Sequence, residues 1–166
     1  MTDADRPPAR LPWPPLLIVG ALILGQGLDR LFGQGLDRLT GGALSGLVAF
    51  PGAPLIGALV VALALANDVW CALTFARLKT TILPHRAASR LATEGPFRFS
   101  RNPIYVSHVA VVAGLGLLLG SPFVVLLTPF LAFALQKLSI EPEERHLRAK
   151  FGPDFAAYVA RTRRWL

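Results

Sequence analysis

At 166 residues the chain has room for one domain. Apolar residues make up 53% of it and the mean hydropathy is +0.51, which excludes an ordinary soluble globular domain and calls for several membrane spans. The net charge of +7 is concentrated: Arg77, Lys79, Arg86, Arg90, Arg98 and Arg101 are opposed only by Glu94, and Arg161, Arg163 and Arg164 end the chain. Beside apolar spans this is the positive-inside pattern of cytoplasmic segments rather than a nucleic-acid footprint, so no nucleic-acid partner is expected.

The first segment, 1–15, holds five prolines and reads as a disordered tail. The apolar run after it lacks a small-residue cleavage site, so a signal peptide is not expected. A first span is predicted from Leu16 to about Phe32. It overlaps a tandem repeat, Gly25–Phe32 followed by Gly33–Thr40, that lengthens the helix end and its loop. Asp29, Arg30, Asp37 and Arg38 in the repeat mark the water interface. Ala43 to Phe50 is apolar but short and is interrupted by Pro51-Gly52, as expected of a half-helix in the interface. A second span runs from about Pro54 to Ala76. Asp68 falls inside it, where an acid is costly and is either functional or a helix-packing contact. Cys71, the single cysteine, excludes an intrachain disulfide and reads as a packing residue. No metal-ligand spacing links it to His85, His108 and His146.

The segment Leu91–Tyr105 is polar, arginine-bearing and punctuated by Gly95, Pro96 and Pro103. Asn102 is a candidate N-cap and Pro103 a candidate first helical residue for a third span reaching about Leu119. At 1.5 Å per residue that span is roughly 25 Å long. Gly114, Gly116 and Gly120 permit close helix approach. Gly120-Ser121-Pro122 turns the chain into a fourth span, Pro122 to Ile140, with Pro129 a candidate kink. The two spans form a hairpin whose open end faces the cytoplasm, as do both termini. Pro142 is expected to break the helix there. Glu143–Phe151 then reads as a short amphipathic helix ending near Gly152, and Pro153 starts another that carries Phe155 and Tyr158 along the membrane surface. The fold class is therefore all-α, a polytopic transmembrane bundle of about four spans with C-terminal amphipathic helices at the cytoplasmic face. Its parts are a tail (1–15), N-terminal spans (16–80) and a core (81–166).

Two polar strips thus converge on the mouth of one hairpin. The first offers Arg98, Arg101, Asn102, Tyr105 and the backbone around Gly95; the second offers Glu141, Glu143, Glu144, Arg145 and His146. Taken singly, Arg101 could snorkel to headgroups, Glu143 and Glu144 could complement a helix N-terminus, and Trp165 reads as an aromatic-belt anchor. Together they describe a charged pocket beside lipid.

Leu91-x-Thr93-x-Gly95-Pro96-Phe97 with Arg101-Asn102-Pro103-x-Tyr105 resembles the first motif of the isoprenylcysteine carboxyl methyltransferase and phospholipid methyltransferase families. Glu143-Glu144-x-x-Leu147, Phe151-Gly152, Tyr158 and Arg164-Trp165 resemble the second. The resemblance covers about Thr81 to Leu166. Ser89 and Asn102 stand where the isoprenylcysteine enzymes favour histidine, and Phe155 where tyrosine is frequent.

The resemblance implies an integral-membrane methyltransferase, isoprenylcysteine-like, with S-adenosyl-L-methionine as methyl donor. No glycine-rich strand–turn–helix of the soluble methyltransferases is present. The resemblance places the donor against Leu91, Gly95, Pro96 and Phe97, the helix entry Arg101, Asn102, Pro103 and Tyr105, and the acids Glu143 and Glu144. Of these, Arg101, Tyr105 and Glu144 are the expected catalytic residues. Glu143 or Glu144 would take the donor's ammonium or ribose and Arg101 its carboxylate, while a glutamate or Tyr105 could assist an amine nucleophile. The expected substrate is lipophilic or lipid-modified and enters from the bilayer, with membrane lipids as the other partners. Rival readings are a phospholipid N-methyltransferase, a sterol-reductase-like NADPH enzyme and a non-catalytic lipid-binding protein.

Overall fold

The computed structural model describes residues 13–78 and 91–166. The expected tail up to residue 12, and Lys79, His85, Arg86, Ser89 and Arg90 of the basic stretch, lie outside the described residues. Helix α1 (Trp13–Leu28) passes through a π-turn, Asp29–Gly33, into α2 (Gln34–Leu39). A short α3 (Ala43–Gly46) follows, then α4 (Ala53–Leu78), α5 (Pro103–Leu118) and α6 (Pro122–Leu135). A second π-turn, Gln136–Ile140, joins α6 to α7 (Glu141–Arg161). Among the described residues there is no strand, only one parallel bridge between Ser100 and Arg163. Three helices, Pro14–Leu39, Ala53–Leu78 and the apolar part of Pro122–Arg161, are long and apolar enough to cross a membrane, and α5 is a shorter apolar helix beside them. The chain is an all-α, multi-pass membrane protein.

Apolar side chains alone give lipid-exposed helices no reason to associate, so close backbone contact decides how they pack. A Cβ at Gly57 of α4 would stand 2.5 Å from the Gly114 carbonyl oxygen of α5, and one at Gly114 would stand 2.8 Å from that of Gly57. Gly116 meets Val125 and Gly25 meets Val124 in the same way, setting α5 and α1 against α6. Gly120 approaches nothing; its φ of +61° makes the α5–α6 turn instead. Ser121 caps α6, accepting from the Val124 N–H at 3.3 Å.

The repeat lengthens the first helix to Leu39, as expected. Its first copy stays helical through the π-turn, and Asp29 is no solvated end. Its carboxylate takes the Ser121 hydroxyl and, at 3.3 Å, the Phe123 N–H, fastening α1 to the closed end of the hairpin. In the second copy Asp37 accepts from the Ser45 N–H at 2.8 Å and holds α3. With Asp29 pinned there, the start of α1, the end of α4, the start of α5 and the end of α6 gather at the hairpin's open end.

One proline expectation is corrected, while the helix passes unbroken through Pro129. Pro142 does not end the helix either, because the π-turn before it shifts the bonding so that the Glu141 N–H reaches Gln136 O, relieving the collision a proline ring makes with an α-helical carbonyl. The expected break near Gly152 is present, as a kink at φ 46°, ψ −115°. Beyond it Phe155 and Tyr158 are buried rather than spread on the membrane surface, packing with Cys71, Ala92 and Phe97.

Substituting Gly114→Ala should force α4 and α5 apart at the cost of about 1–3 kcal/mol. Thermal unfolding in detergent should show a lowered midpoint, whereas Gly27→Ala, with open space around it, should leave the midpoint unchanged.

Candidate active site

The first polar strip is set by Gly95, whose φ of +57° is left-handed and whose added Cβ would stand 2.7 Å from Thr74 Oγ1 and 3.3 Å from Trp70 Nε1. The chain then makes a 3₁₀ turn, Gly95–Arg98, with Pro96 and Phe97 buried. The Phe97 ring lies 5.0 Å from that of Phe75, and Leu91 packs on the same core. The Tyr158 hydroxyl donates to Phe97 O at 2.7 Å, so the second half of α7 fixes this turn. Leu91, Pro96 and Phe97 thus build the wall rather than offer polar groups.

The C-terminal segment, 162–166, closes the wall. Arg101 N–H donates to Arg163 O at 2.8 Å. Asn102 begins α5 without capping it: its side-chain amide donates instead to Arg164 O at 3.0 Å. Pro103 is buried at the first helical position, as expected. The Trp165 indole N–H donates to Gln136 Oε1 at 3.0 Å and ties the tail to the π-turn.

At the centre, Glu144 lies between two guanidinium groups. Arg101 Nε and Nη2 reach its Oε1 at 3.1 and 3.0 Å. Arg164 Nη2 reaches Oε2 at 2.7 Å and Nε reaches Oε1 at 3.2 Å. Arg101 also donates to Thr162 O at 2.6 Å, and its side chain is only 11% exposed, so it does not snorkel to headgroups. Because α6 runs directly into α7, there is no free helix N-terminus for the acids to complement. Burial would raise the Glu144 carboxyl, but the Arg164 hydrogen bonds and the Arg101 charge outweigh it and hold Glu144 below the usual carboxylate range. The same contacts push Arg164 up.

Glu143 has a different environment. It accepts the Tyr105 hydroxyl at 3.1 Å on Oε2. Burial raises its carboxyl and the neighbouring Glu144 charge adds to that, while the Tyr105 bond opposes both. Buried Ser139 lies beside Tyr105, and His146 Nε2 has no partner among the described residues. Arg101, Tyr105, Asn102, Glu143 and Glu144 are therefore drawn together at one end of the bundle. Arg164, Ser139 and the Thr74–Trp70 face under Gly95 join them. Sequence reading gave Arg164 only as part of a terminal motif and had no signal for the other three. Glu141 turns away to Lys137 at 2.8 Å.

The residues suit a zwitterionic ligand: a carboxylate hydrogen-bonded only to Tyr105 stands beside a three-member cluster that carries net positive charge. Among the described residues no group of His, Cys, Asp and Glu could hold a metal ion.

Comparison with known proteins bears on this geometry. A family model described as phospholipid methyltransferase matches residues 53–154, from α4 into the first half of α7. The chain is 33% identical over 107 residues to the nickel-cobalt-cadmium resistance protein NccN of Alcaligenes xylosoxydans xylosoxydans, covering 64% of this chain and 46% of that protein. It is 36% identical over 108 residues to the cobalt-zinc-cadmium resistance protein CzcN of Cupriavidus metallidurans, covering 64% and 45%. The chain thus spans about half the length of the curated relatives it matches. No solved structure matches it.

Glu144→Gln leaves two guanidinium groups short of a carboxylate and should cost about 2 kcal/mol of stability. The depressed carboxyl stabilises the fold fully above its unfolded value of about 4.3, and that stability is lost as pH falls through the folded value. The wild-type unfolding midpoint should therefore drop steeply below about pH 4, and the variant's should drop less.

Proposed function

The chain belongs to the phospholipid methyltransferase family, within the integral-membrane methyltransferases, and from that membership we propose that it transfers a methyl group from S-adenosyl-L-methionine to a lipophilic acceptor drawn from the bilayer. The observation that carries the reading is the meeting of the two polar strips, with Glu144 between Arg101 and Arg164 and Glu143 beside it on Tyr105. The donor's amino acid end needs an anion for its ammonium and a cation for its carboxylate. Glu143, held only by Tyr105, serves the first; the Arg101–Glu144–Arg164 cluster, with its excess positive charge, serves the second. When bound, the donor supplies an already activated methyl on a sulfonium.

What remains for the protein is alignment and exclusion of water. The Gly95 turn, closed by Tyr158 and the C-terminal segment, fixes one wall, while the buried face of α5 leads from Tyr105 into the bundle. Glu144 is a positioning residue here: its oxygens are occupied by the two arginines, which it holds in place. Tyr105 orients Glu143. Basic residues at this end, among them Arg98, Arg145, Arg148, Arg161 and Arg163, support a cytoplasmic orientation where the donor is soluble.

Binding separates this reading from a nicotinamide-dependent reductase and from a lipid-binding scaffold. S-adenosylhomocysteine should raise the unfolding temperature of the purified protein, and NADPH should not. Glu143→Gln should weaken S-adenosylhomocysteine binding about tenfold, corresponding to about 1.4 kcal/mol, with the unfolding midpoint kept. Labelled methyl should pass into a membrane lipid extract; stabilisation by NADPH alone, or no transfer of label, would refute the reading.

A further inference from the structure

A group of arginines stands on the outer surface beside the site, turned away from its ion cluster. The Tyr158 hydroxyl on Phe97 O and the pairing of Ser100 with Arg163 hold the Gly95–Arg98 turn against the second half of α7. Arg98 ends that turn, Arg161 ends α7 one helical turn beyond Tyr158, and Arg163 follows it. All three are exposed. Arg148 joins them from the first half of α7, also exposed, with its guanidinium 5.8 Å from the Phe155 ring. The ion pairs among the described residues engage Arg101, Arg164 and Lys137, and none of these four. The exposed acids of the two elements, Glu94 and Asp154, leave an excess of cations.

Their surroundings decide which polyanion they meet. Phe99, next to Arg98, is 67% exposed, and Trp70 of α4, 6.4 Å from it between ring centroids, is 45% exposed. Trp70 lies on a membrane-crossing helix, with Leu73 exposed one turn further on. The ring pair therefore faces lipid near the edge of the hydrocarbon, where aromatic rings collect. Guanidinium groups beside it reach the level of the phosphates. A surface whose apolar edge already sits in the bilayer suits an anionic leaflet rather than an acidic protein or a nucleic acid in solution.

The same surface adjoins the segment that completes the site. Residues 162–166 are held by polar bonds: Arg101 donates to the carbonyls of Thr162 and Arg163, Asn102 and Ser100 to that of Arg164, and Trp165 to Gln136. Among the described residues no member of the segment joins either apolar cluster of the core. A segment with so little apolar burial opens at low cost, and Arg161 and Arg163 flank its start. We propose that Arg98, Arg148, Arg161 and Arg163 dock on the phosphates of anionic phospholipids in the cytoplasmic leaflet, with Phe99 and Trp70 among the acyl chains, and that this contact keeps residues 162–166 closed over the donor site. The effect on the donor rests on the methyltransferase reading above; the lipid contact does not.

The test places the full chain in nanodiscs of phosphatidylcholine alone, or with phosphatidylglycerol replacing about a third of it. Native mass spectrometry reads the lipid retained, and titration reads S-adenosylhomocysteine affinity. Wild-type protein should retain phosphatidylglycerol in preference to phosphatidylcholine. Its S-adenosylhomocysteine affinity should rise at least about fivefold in the anionic discs, the worth of one basic residue at such a surface, and the gain should shrink at high salt. The double variant Arg98→Gln, Arg161→Gln should keep the unfolding midpoint and the affinity seen in phosphatidylcholine, but lose the lipid preference and the gain. Arg98→Lys with Arg161→Lys should keep both. No lipid preference in the wild type, an undiminished one in the glutamine variant, or displacement of phosphatidylglycerol by polyglutamate or RNA would overturn the proposal. So would equal S-adenosylhomocysteine affinity in the two discs. A wild type that retains phosphatidylglycerol yet binds S-adenosylhomocysteine in neither disc would instead strike the methyltransferase reading, and with it the effect on the donor, leaving the lipid contact upheld.

Discussion

One carboxylate held between two guanidinium groups joins parts of the chain that are far apart in sequence. Glu144 comes from α7, Arg101 from the approach to α5 and Arg164 from the C-terminal segment. Without Glu144, two arginines would face each other in a poorly hydrated corner. Without the arginines, a half-buried carboxylate would stand uncompensated, a cost that removing one partner of such a cluster exposes in full. The other closures follow from this one. The segment that supplies Arg164 also supplies carbonyls to Arg101 N–H and to the Asn102 amide, and Trp165 reaches the π-turn. Charge compensation thus draws the two polar strips over the hairpin's mouth, where apolar packing alone would leave them apart.

The large features were legible because each has a local physical cause. Runs of apolar residues fix the spans, and Pro103 and Ser121-Pro122 mark helix starts that need no distant partner. Gly95 and Gly152 stand at positive φ, as a glycine beside a proline suggests. What could not be read depended on partners remote in sequence. Asn102 looked like a cap, yet it gives its amide to a carbonyl 62 residues away. Trp165 read as a membrane anchor, and its bond to Gln136, 29 residues away, had no mark in the sequence. Asp29 seemed a solvated end of a duplicated segment, but its carboxylate fastens α1 to the α5–α6 turn. Pro142 was misread for a different reason: a π-turn, which lets a proline remain in a continuous helix, has no simple sequence mark.

The glutamate pair illustrates the limit at the site itself. Adjacent in sequence, Glu143 and Glu144 are interchangeable in a motif, and only surroundings tell them apart. Glu144 is depressed by two arginines and fully engaged, whereas Glu143 is raised by burial and shares one oxygen with Tyr105. Two neighbouring acids thereby take separate tasks, one holding the architecture and the other remaining available to a ligand. From Tyr105 the same helix leads inward to His108, so the polar site and the apolar interior are continuous along one face of α5.

The most direct measurement of the central claim is a structure of the full chain in complex with S-adenosylhomocysteine. The account predicts the ligand at the hairpin's open end, its ammonium within hydrogen-bonding distance of Glu143 and its carboxylate on the arginine cluster, with Glu144 still bound to Arg101 and Arg164. A ligand seated at the closed end near Asp29 and Ser121, or a complex in which the C-terminal segment has left Arg101, would contradict it.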